Sequence, residues 1–318
     1  MERFLSLKKL GRLFGFFFIF ANICFAEVVN NSRLDVNKIF FTQVNKVGNK
    51  LFAVGEHGII LSSIKGVDDW MQHHVGYKGL FTSFDFSSPD TGLFVGHDSV
   101  LFRTENGGKS FEKILIDMER PVSFMKVQWL SKLDALIVGD FGSVFYSSDG
   151  GRTWQKELIV DKNFDRHLYD ILVSKHGVFI IGESGWILFK KKKSNKWVQI
   201  DVPYSGSYFG GMIHNNQIYF FGMRGNIIST SLDFFAETYT SQKSIIFNHY
   251  ITPSKLGIMS AGIDEDGSLI FFSSGGIAYE LLDGFFVSKE ALLDTVVSTV
   301  DYGNFTVFAG LKGIKISD

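Results

Sequence analysis

Residues 138–154 alternate apolar side chains with small or polar ones. Such alternation is typical of a β-strand that buries one face. Gly and Asp interrupt it at Asp140–Gly142 and again at Asp149–Gly151, and both residue types tolerate the dihedral angles of tight hairpin turns. The stretch therefore predicts a strand, a turn, a second strand, a second turn, and a further strand that begins at Trp154.

The same unit recurs along the chain, and in each copy a glycine ends the first apolar run. These leading glycines are Gly55, Gly96, Gly139, Gly182, Gly222, Gly262 and Gly310. Neighbouring ones are 40 to 48 residues apart, and a repeat of roughly 40–45 residues with four short strands is one blade of a propeller. The pattern predicts an all-β fold, a seven-bladed β-propeller of four-stranded antiparallel blades.

Closing the ring requires a partner for the last blade, because the seventh copy stops at Asp318 just after its third strand. Residues 28–36 precede the first blade and have no place in it. We expect this N-terminal segment to pair with the last blade and close the ring, since closure removes exposed strand edges.

The first 26 residues have the pattern of a cleaved secretory signal. Basic residues at the start are followed by an apolar run, Leu13–Ile23, that is too short to span a bilayer, and Cys24–Ala26 resembles a cleavage site. The pattern predicts a signal peptide over 1–26 and one propeller domain over 27–318, exported to the periplasm or an equivalent compartment. Cleavage after Ala26 removes the only cysteine and excludes thiol chemistry.

Charge and hydropathy narrow the classes of partner. The whole chain has 32 basic and 33 acidic residues, and residues 27–318 have 28 and 32. An acidic balance argues against nucleic-acid binding, and we expect a monomer. The lysine run Lys190–Lys193 has two interpretations, a solvated turn or a contact with anionic lipid headgroups at a membrane surface.

One copy carries a recognisable motif in its second turn. Ser147, Asp149, Gly151, Thr153 and Trp154 match the Asp-box, also called the bacterial neuraminidase repeat. The Ser and Asp side chains bond to backbone groups of the hairpin, and the Trp ring packs beneath it. The motif in this position predicts a structural fastener of an outer hairpin, and a weaker version runs from Thr104 to Phe111.

The repeated Val-Gly-x-x-Gly-x-Val/Ile pattern, followed by an Asp-box behind a signal sequence, resembles the photosystem II stability/assembly factor family. The resemblance covers roughly residues 36–318. It implies a seven-bladed, non-catalytic propeller that binds a membrane protein complex or its subunit and helps to assemble or stabilise it. It implies no catalytic residue, no metal and no cofactor.

Propellers usually bind at one mouth of the central channel, where the turns between second and third strands meet the connections between blades. The candidate binding residues in this position are Glu56, His57, His97, Asp98, Asp140, Phe141, Glu183, Arg224, Asp264, Lys312, Arg120 and Arg166. Five of these ten turn residues are acidic, which suits a basic partner segment. Short turns also favour Asp whatever they bind.

Two other functions stay open at this point. One is an accessory propeller of an envelope transporter. The other is a glycan-binding or glycoside-hydrolysing Asp-box propeller, which needs two carboxyl groups about 5 Å apart, or a Tyr nucleophile. Sialidases also use three converging arginines, and residues 27–318 contain six arginines, one of them within the Asp-box turn.

Overall fold

A computed structural model of the chain describes residues 23–25, 27–29 and 35–317, with 65, 68, 162, 242, 290–293 and 304 excepted. These residues form seven antiparallel sheets. Apart from two short N-terminal strands at the outer edges of two sheets, strands follow chain order within each sheet, and the inner strands of neighbouring sheets contact one another around a ring. The predicted all-β, seven-bladed propeller is confirmed.

The first three blades follow one another along the chain. Blade 1 contains β3 (Phe41–Val47), β4 (Lys50–Gly55), β5 (Ile60–Ser63) and β6 (Met71–His74). Blade 2 contains β7 (Phe81–Phe86), β8 (Gly92–Gly96), β9 (Leu101–Thr104) and β10 (Ser110–Lys113). Blade 3 contains β11 (Phe124–Trp129), β12 (Ala135–Gly139), β13 (Val144–Ser147) and β14 (Gln155–Lys156). Before them come β1 (Ile23–Phe25), β2 (Glu27–Val29) and the 3-10 turn Val36–Lys38.

The other four blades include the one α-helix of the described residues. Blade 4 contains β15 (Leu168–Val173), β16 (Gly177–Gly182), β17 (Ile187–Lys191) and β18 (Trp197–Gln199). Blade 5 contains β19 (Tyr208–His214), β20 (Gln217–Gly222), β21 (Asn226–Ser231), the helix α1 (Leu232–Thr240) and β22 (Asn248–Ile251). Blade 6 contains β23 (Ile258–Ile263), β24 (Leu269–Ser273), β25 (Ala278–Leu282) and β26 (Phe285–Lys289). Blade 7 contains β27 (Val296–Asp301), β28 (Thr306–Gly310) and β29 (Gly313–Ile316).

Hydrogen bonds between blades hold the inner strands in register. Thr42 donates from Oγ1 to the carbonyl oxygen of Phe81 at 2.7 Å, and Thr82 donates to that of Phe124 at 2.6 Å. At the junction of blades 7 and 1, the Ser298 hydroxyl accepts from Val44 N–H and donates to Val44 O, each at 3.1 Å. Buried apolar residues of β3, β4 and β5 pack against β28 and β29 at the same junction, so blade 7 and blade 1 close the ring by packing.

The leading glycines recur because the backbone of the inner strand passes too close for a side chain. A Cβ atom at Gly139 would lie 2.2 Å from the carbonyl oxygen of Ser123, and one at Gly55 would lie 2.2 Å from that of Phe40. Both contacts are far inside van der Waals distance. The glycine pattern therefore records a close approach within each blade.

Blade 6 departs from the predicted register. Gly262 lies on the inner strand β23, and the turn after it, which contains Asp264, joins the first and second strands. Ser273 ends the second strand instead, 51 residues after Gly222. The interval is long because α1 is inserted between the third and fourth strands of blade 5. The prediction from glycine spacing did not allow for this insertion and therefore assigned Gly262 wrongly.

The expected N-terminal strand in blade 7 is not found among the described residues. Blade 7 has three strands, while Glu27–Val29 pairs with β6 at the outer edge of blade 1. Residues 30–34 lie outside the described residues. The turn Val36–Lys38 does contact β29, because a Cβ atom at Gly313 would lie 2.2 Å from Val36 O.

The predicted signal peptide falls mostly outside the described part of the chain, which begins at Ile23. Ile23–Phe25 pairs with β10 at the outer edge of blade 2. Within the described ranges, no helix has the length and apolar character needed to cross a membrane.

Two faces of the ring differ in what they carry. Turns between second and third strands lie beside the connections between blades, as Gly58 N–H shows by donating to Gly79 O at 2.6 Å. We call this the mouth face. Turns between first and second strands lie beside those between third and fourth, since Gly150 N–H donates to Leu133 O at 2.9 Å. We call this the hairpin face.

The Asp-box of blade 3 is on the hairpin face and is fully bonded. Ser147 Oγ accepts from Gly151 N–H at 3.0 Å and donates to Asp149 Oδ1 at 2.8 Å. Thr153 donates from Oγ1 to Asp149 Oδ2 at 2.6 Å, and Trp154 donates from Nε1 to Gly151 O at 3.1 Å. Every polar member of the motif bonds within the hairpin.

Candidate functional site on the mouth face

Most of the predicted mouth residues lie in the expected turns. Those in turns between second and third strands are Glu56, His57, His97, Asp98, Asp140, Phe141, Glu183, Arg224 and Lys312. Arg120 and Arg166 lie in the connections that enter and leave blade 3. The prediction for Asp264 is wrong, because its turn joins the first two strands of blade 6 and therefore lies on the hairpin face.

Left-handed backbone angles shape these turns. His57, Phe141 and Arg224 have φ values of 58°, 53° and 57°, and the residue after each is a glycine with positive φ. Two successive residues with positive φ give the type I′ turn that matches the twist of a two-residue hairpin. The mouth face therefore repeats one rigid turn, which carries a different side chain on each of these blades.

Three of the acidic turn residues have a structural role that the sequence did not reveal. Glu56 Oε1 accepts from Phe40 N–H at 2.9 Å, and Glu183 Oε2 accepts from His167 N–H at 3.1 Å. Asp140 Oδ2 accepts from Ser123 N–H at 3.3 Å. In each case the carboxylate after the leading glycine satisfies the backbone at the start of the inner strand, so these acids serve folding as well as charge.

Elsewhere on the mouth face, two turns are anchored by longer side chains. Tyr77 donates from its hydroxyl to His97 O at 3.1 Å. Burial, and then the nearby Asp98 carboxylate, raise the pKa of Tyr77 to about 12, so the phenol stays neutral. Lys312 Nζ lies 2.8 Å from Asp294 Oδ2, and this contact lowers the pKa of Asp294.

Four predicted residues converge at blade 3. The Arg120 guanidinium carbon lies 4.5 Å from the centre of the Phe141 ring, within the range of a cation–π contact. The Phe141 and His167 rings are 5.2 Å apart, and His167 Nδ1 lies 3.1 Å from Asp140 Oδ1. Gly142 N–H donates to Arg166 O at 2.8 Å. Phe141 is 45% exposed, so an aromatic side chain is held in place at the surface.

Beside this cluster is a groove of about 790 Å³, which we call the acidic groove. It lies between the connections 114–123 and 157–166. Its charged lining residues are Asp117, Glu119, Arg120, Lys156, Glu157, Asp161 and Asp165. Apolar contact surface comes from Phe141, Leu158 and Phe164, and Leu158 is 67% exposed.

Most groove residues were missed because they come from two connections that are distant in sequence. Asp117 and Glu119 precede blade 3, whereas Asp161 and Asp165 follow it. The available signal was the exposed apolar residue in each connection, Leu115 at 83% and Leu158 at 67%. An apolar residue in a polar loop is an indicator of a contact surface when several lie together.

The central channel is a separate and more polar space of about 340 Å³. All seven inner strands line it, among them β3, β11 and β15. Lys126 Nζ and Asp170 Oδ1 are 3.3 Å apart within it, and Asp170 Oδ2 also accepts from Gly211 N–H at 3.2 Å. These charges are paired with the protein itself.

The geometry required for glycoside hydrolysis by a sialidase-like site is not assembled. Arg103 and Arg152 both contact Glu105 on the hairpin face, whereas Arg120 and Arg166 are on the mouth face. These four arginines are therefore divided between two faces and do not form a three-arginine cluster of the sialidase kind. Within the same residues, no group of three or more His, Cys, Asp or Glu side chains is arranged to hold a metal ion.

The fold and the bonded Asp-box define the chain as an Asp-box propeller with seven blades. A family profile described as photosynthesis system II assembly factor YCF48 matches residues 26–158 and 119–191. The two matches together span more than half of the chain. The protein belongs to this family.

Solved structures agree on the fold. "YCF48 bound to D1 peptide" is 14% identical, with a TM-score of 0.70 over 93% of this chain and 98% of that one. "YCF48 from Cyanidioschyzon merolae" is 16% identical, with a TM-score of 0.70 over 92% and 98%. The WD40 propeller domain of Doa1 is 11% identical, with a TM-score of 0.65 over 93% and 97%. No curated protein matches the chain.

Proposed function

We propose that this protein is a non-catalytic scaffold that binds an extended segment of a membrane protein and thereby aids assembly of a membrane complex. The observation that carries the proposal is the acidic groove beside Phe141. Its volume, about 790 Å³, suits several side chains of an extended peptide. Family membership supports the same class of function, and a related propeller has been solved with a D1 peptide bound.

The groove chemistry favours a partner segment with both apolar and basic side chains. Five carboxylates and two cations line it. One of the carboxylates, Glu157, is already paired with Lys190, which leaves four acidic side chains for a partner. Exposed Phe141 and Leu158 offer apolar area, and aromatic and Arg side chains are frequent at the centres of binding sites. Acidic residues around apolar contacts attract a basic segment and select against an acidic one.

Site-specific photocrosslinking tests the proposal in the native envelope. A photoreactive phenylalanine analogue replaces Leu158 in the groove, and a matched variant carries it at Phe285, which is 76% exposed on the hairpin face of blade 6. We expect a membrane-protein adduct from position 158 and none from position 285. Equal adducts, or adducts from position 285 alone, would contradict a binding site in the groove.

Charge reversal tests the electrostatic part without breaking the fold. Glu56, Asp140 and Glu183 bond to the backbone, so they are unsuitable for this purpose. Asp117→Lys with Glu119→Lys changes two exposed acids in the groove. Glu237→Lys with Glu265→Lys makes the same change of net charge on the hairpin face. Only the first pair is expected to weaken capture of the crosslinked partner.

We further propose that the protein is exported, with cleavage after Ala26. The support is the signal-like sequence of residues 1–26. Mass spectrometry of the protein purified from its native envelope tests this, with Glu27 as the expected N-terminus. A mature protein that keeps Ile23–Phe25 would contradict the cleavage site, and it would also retain the strand that pairs with β10.

A further inference from the structure

A second cavity, on the hairpin face between blades 3 and 4, has the opposite charge from the acidic groove. Its volume is about 580 Å³. It is open because the outer strand of blade 3, Gln155–Lys156, has only two residues. Lys156 lines it on the blade 3 side, and Lys191, Lys192 and Lys193 line it on the blade 4 side. We call this the lysine cavity.

Lys190 is part of the lysine run but is not available to a ligand. Its Nζ lies 2.9 Å from Glu157 Oε1 and 4.6 Å from the centre of the Trp197 ring, and its side chain is 16% exposed. Trp197 also donates from Nε1 to Glu157 Oε1 at 2.8 Å. The charges of Lys190 and Glu157 therefore neutralise each other in an ion pair within the protein.

The remaining acidic group of the cavity is also occupied. Asp134 accepts a hydrogen bond from the Ser131 hydroxyl at 2.6 Å and another from the Tyr146 hydroxyl. Burial, and then the bond to Asp134, raise the pKa of Tyr146 to about 12, so Tyr146 remains a neutral donor. Asp134 is thus held in place by neutral groups of its own blade.

Four lysines then remain without a carboxylate partner. Lys191 Nζ bonds to the neutral Thr240 hydroxyl at 3.1 Å. No carboxylate of the described residues lies within 4 Å of the ammonium groups of Lys156, Lys191, Lys192 or Lys193, which are all exposed. A chain with a formal net charge of −1 therefore concentrates positive charge around one concave site.

We propose that the lysine cavity binds the phosphate of an anionic membrane lipid and lays the hairpin face of blades 3 and 4 on a membrane surface. Clustered lysines each add attraction to an anionic bilayer. A cavity of this volume holds a phosphate with its substituent, not only a small ion. Leu133, 57% exposed in the turn next to Asp134, adds an apolar contact at the interface.

The lysine cavity and the acidic groove open on different faces, although Lys156 and Glu157 line both. If both hold, the hairpin face rests on the lipid while the mouth face stays free for a protein segment. Failure of the lipid test leaves the photocrosslinking result unaffected, and the reverse is equally true.

Vesicle co-sedimentation tests the proposal. The full chain is mixed with vesicles of phosphatidylcholine alone and of phosphatidylcholine with phosphatidylglycerol, and binding is expected only to the second. Replacing Lys191, Lys192 and Lys193 together with Gln should weaken binding roughly a hundredfold. The control replaces the exposed Lys109, Lys113 and Lys315 with Gln, which gives the same net charge, and should bind almost as the unchanged protein does.

A single substitution tests whether both walls of the lysine cavity bind the lipid, or only the lysine hairpin of blade 4. Lys156→Gln lies on the opposite wall and should also weaken vesicle binding, by about fivefold, whereas Lys109→Gln should not. Equal losses from the test and control triples, or no binding of the unchanged protein, would overturn the proposal. Binding of soluble glycerol phosphate without vesicle binding would overturn the assignment to a lipid.

Discussion

Arg103 of blade 2 donates from Nε to the carbonyl oxygen of Gly150 in the Asp-box turn of blade 3, at 2.7 Å. The side chain is 4% exposed, and its Nη1 lies 2.7 Å from Glu105 Oε1. Lys50 of blade 1 makes the corresponding, longer bond to Gly107 O in blade 2, at 3.3 Å. The Asp-box thus joins neighbouring blades as well as fastening its own hairpin.

Replacing Arg103 with Met should lower the free energy of unfolding by about 2–3 kcal/mol, because the buried Gly150 carbonyl loses a charged donor. Urea denaturation measures the change. Arg166→Met is the matched control, since Arg166 is half exposed, and it should cost less than about 0.5 kcal/mol. Similar losses for the two variants would mean that the contact between blades contributes little.

Asp149 should make the Asp-box sensitive to acid. Burial alone would raise the pKa of its carboxyl, but hydrogen bonds from Thr153, Ser147 and Arg152 together lower it to about 2. A lowered pKa gives stability that is present above the unfolded value near 3.8 and is lost as the pH falls through 2.

Asp149→Ala should therefore reduce stability by about 2 kcal/mol at neutral pH and flatten the acid dependence between pH 4 and 2. Thermal unfolding across that range measures both effects. The exposed Asp90 is in a turn on the same face, and Asp90→Ala should leave the acid limb unchanged. An identical acid limb for all three proteins would rule out the role assigned to Asp149.

His73 should impose a second pH dependence at higher pH. It is 4% exposed, and Ser62 Oγ lies 2.8 Å from its Nε2. Burial, and then the charges of Lys50 and His74, lower the pKa of His73 from 6.5 to about 4. The unfolded chain takes up the proton first, so stability present above pH 6.5 falls as the pH drops from 6.5 to 4, by about 3 kcal/mol.

The variant His73→Gln removes the titrating ring and keeps a polar partner for Ser62. We expect the free energy of unfolding of this variant to stay nearly level between pH 6.5 and 4. Replacing the exposed His57 with Gln is the control and should preserve the slope. A slope that survives in His73→Gln would assign the dependence to other groups.

Gly139→Ala should be strongly destabilising, by about 3 kcal/mol, because the added Cβ would lie 2.2 Å from Ser123 O. Ser273 occupies the corresponding position in blade 6, where a side chain is already present. Ser273→Ala removes only the bond from Ile277 N–H to the hydroxyl and should cost about 1 kcal/mol. Differential scanning calorimetry compares the two, and equal effects would contradict the close-approach explanation.

The number and type of blades could be predicted from sequence because each leading glycine is required by a close contact inside its own repeat. Gly55 and Gly139 are each constrained by a carbonyl 15 or 16 residues earlier, so every blade carries its own signature. The register of blade 6 was predicted wrongly because Ser273 replaces the leading glycine there. Gly262, which precedes another turn, was assigned to that position instead. A local rule fails where a local insertion changes the spacing.

The candidate sites were only partly predictable because they depend on pairs of distant residues. Arg120 and Phe141 were both selected from sequence, but their contact depends on a connection folding back over blade 3. The neutralisation of Lys190 by Glu157 crosses from one blade to the next, 33 residues apart. Nothing in the run of four lysines distinguishes the lysine that pairs with a carboxylate from the three that do not.

The bond between Val44 and Ser298 joins residues 254 positions apart, whereas the corresponding bond from Val127 N–H to Ser83 Oγ spans 44. Bringing such distant residues together carries the greatest loss of chain entropy of any contact between neighbouring blades. We therefore expect this junction to form late in folding, and hydrogen exchange of the Val44 amide during refolding measures when it closes. In a ring of similar blades, the position at which the first and last blades meet is therefore expected to set the order in which the blades assemble.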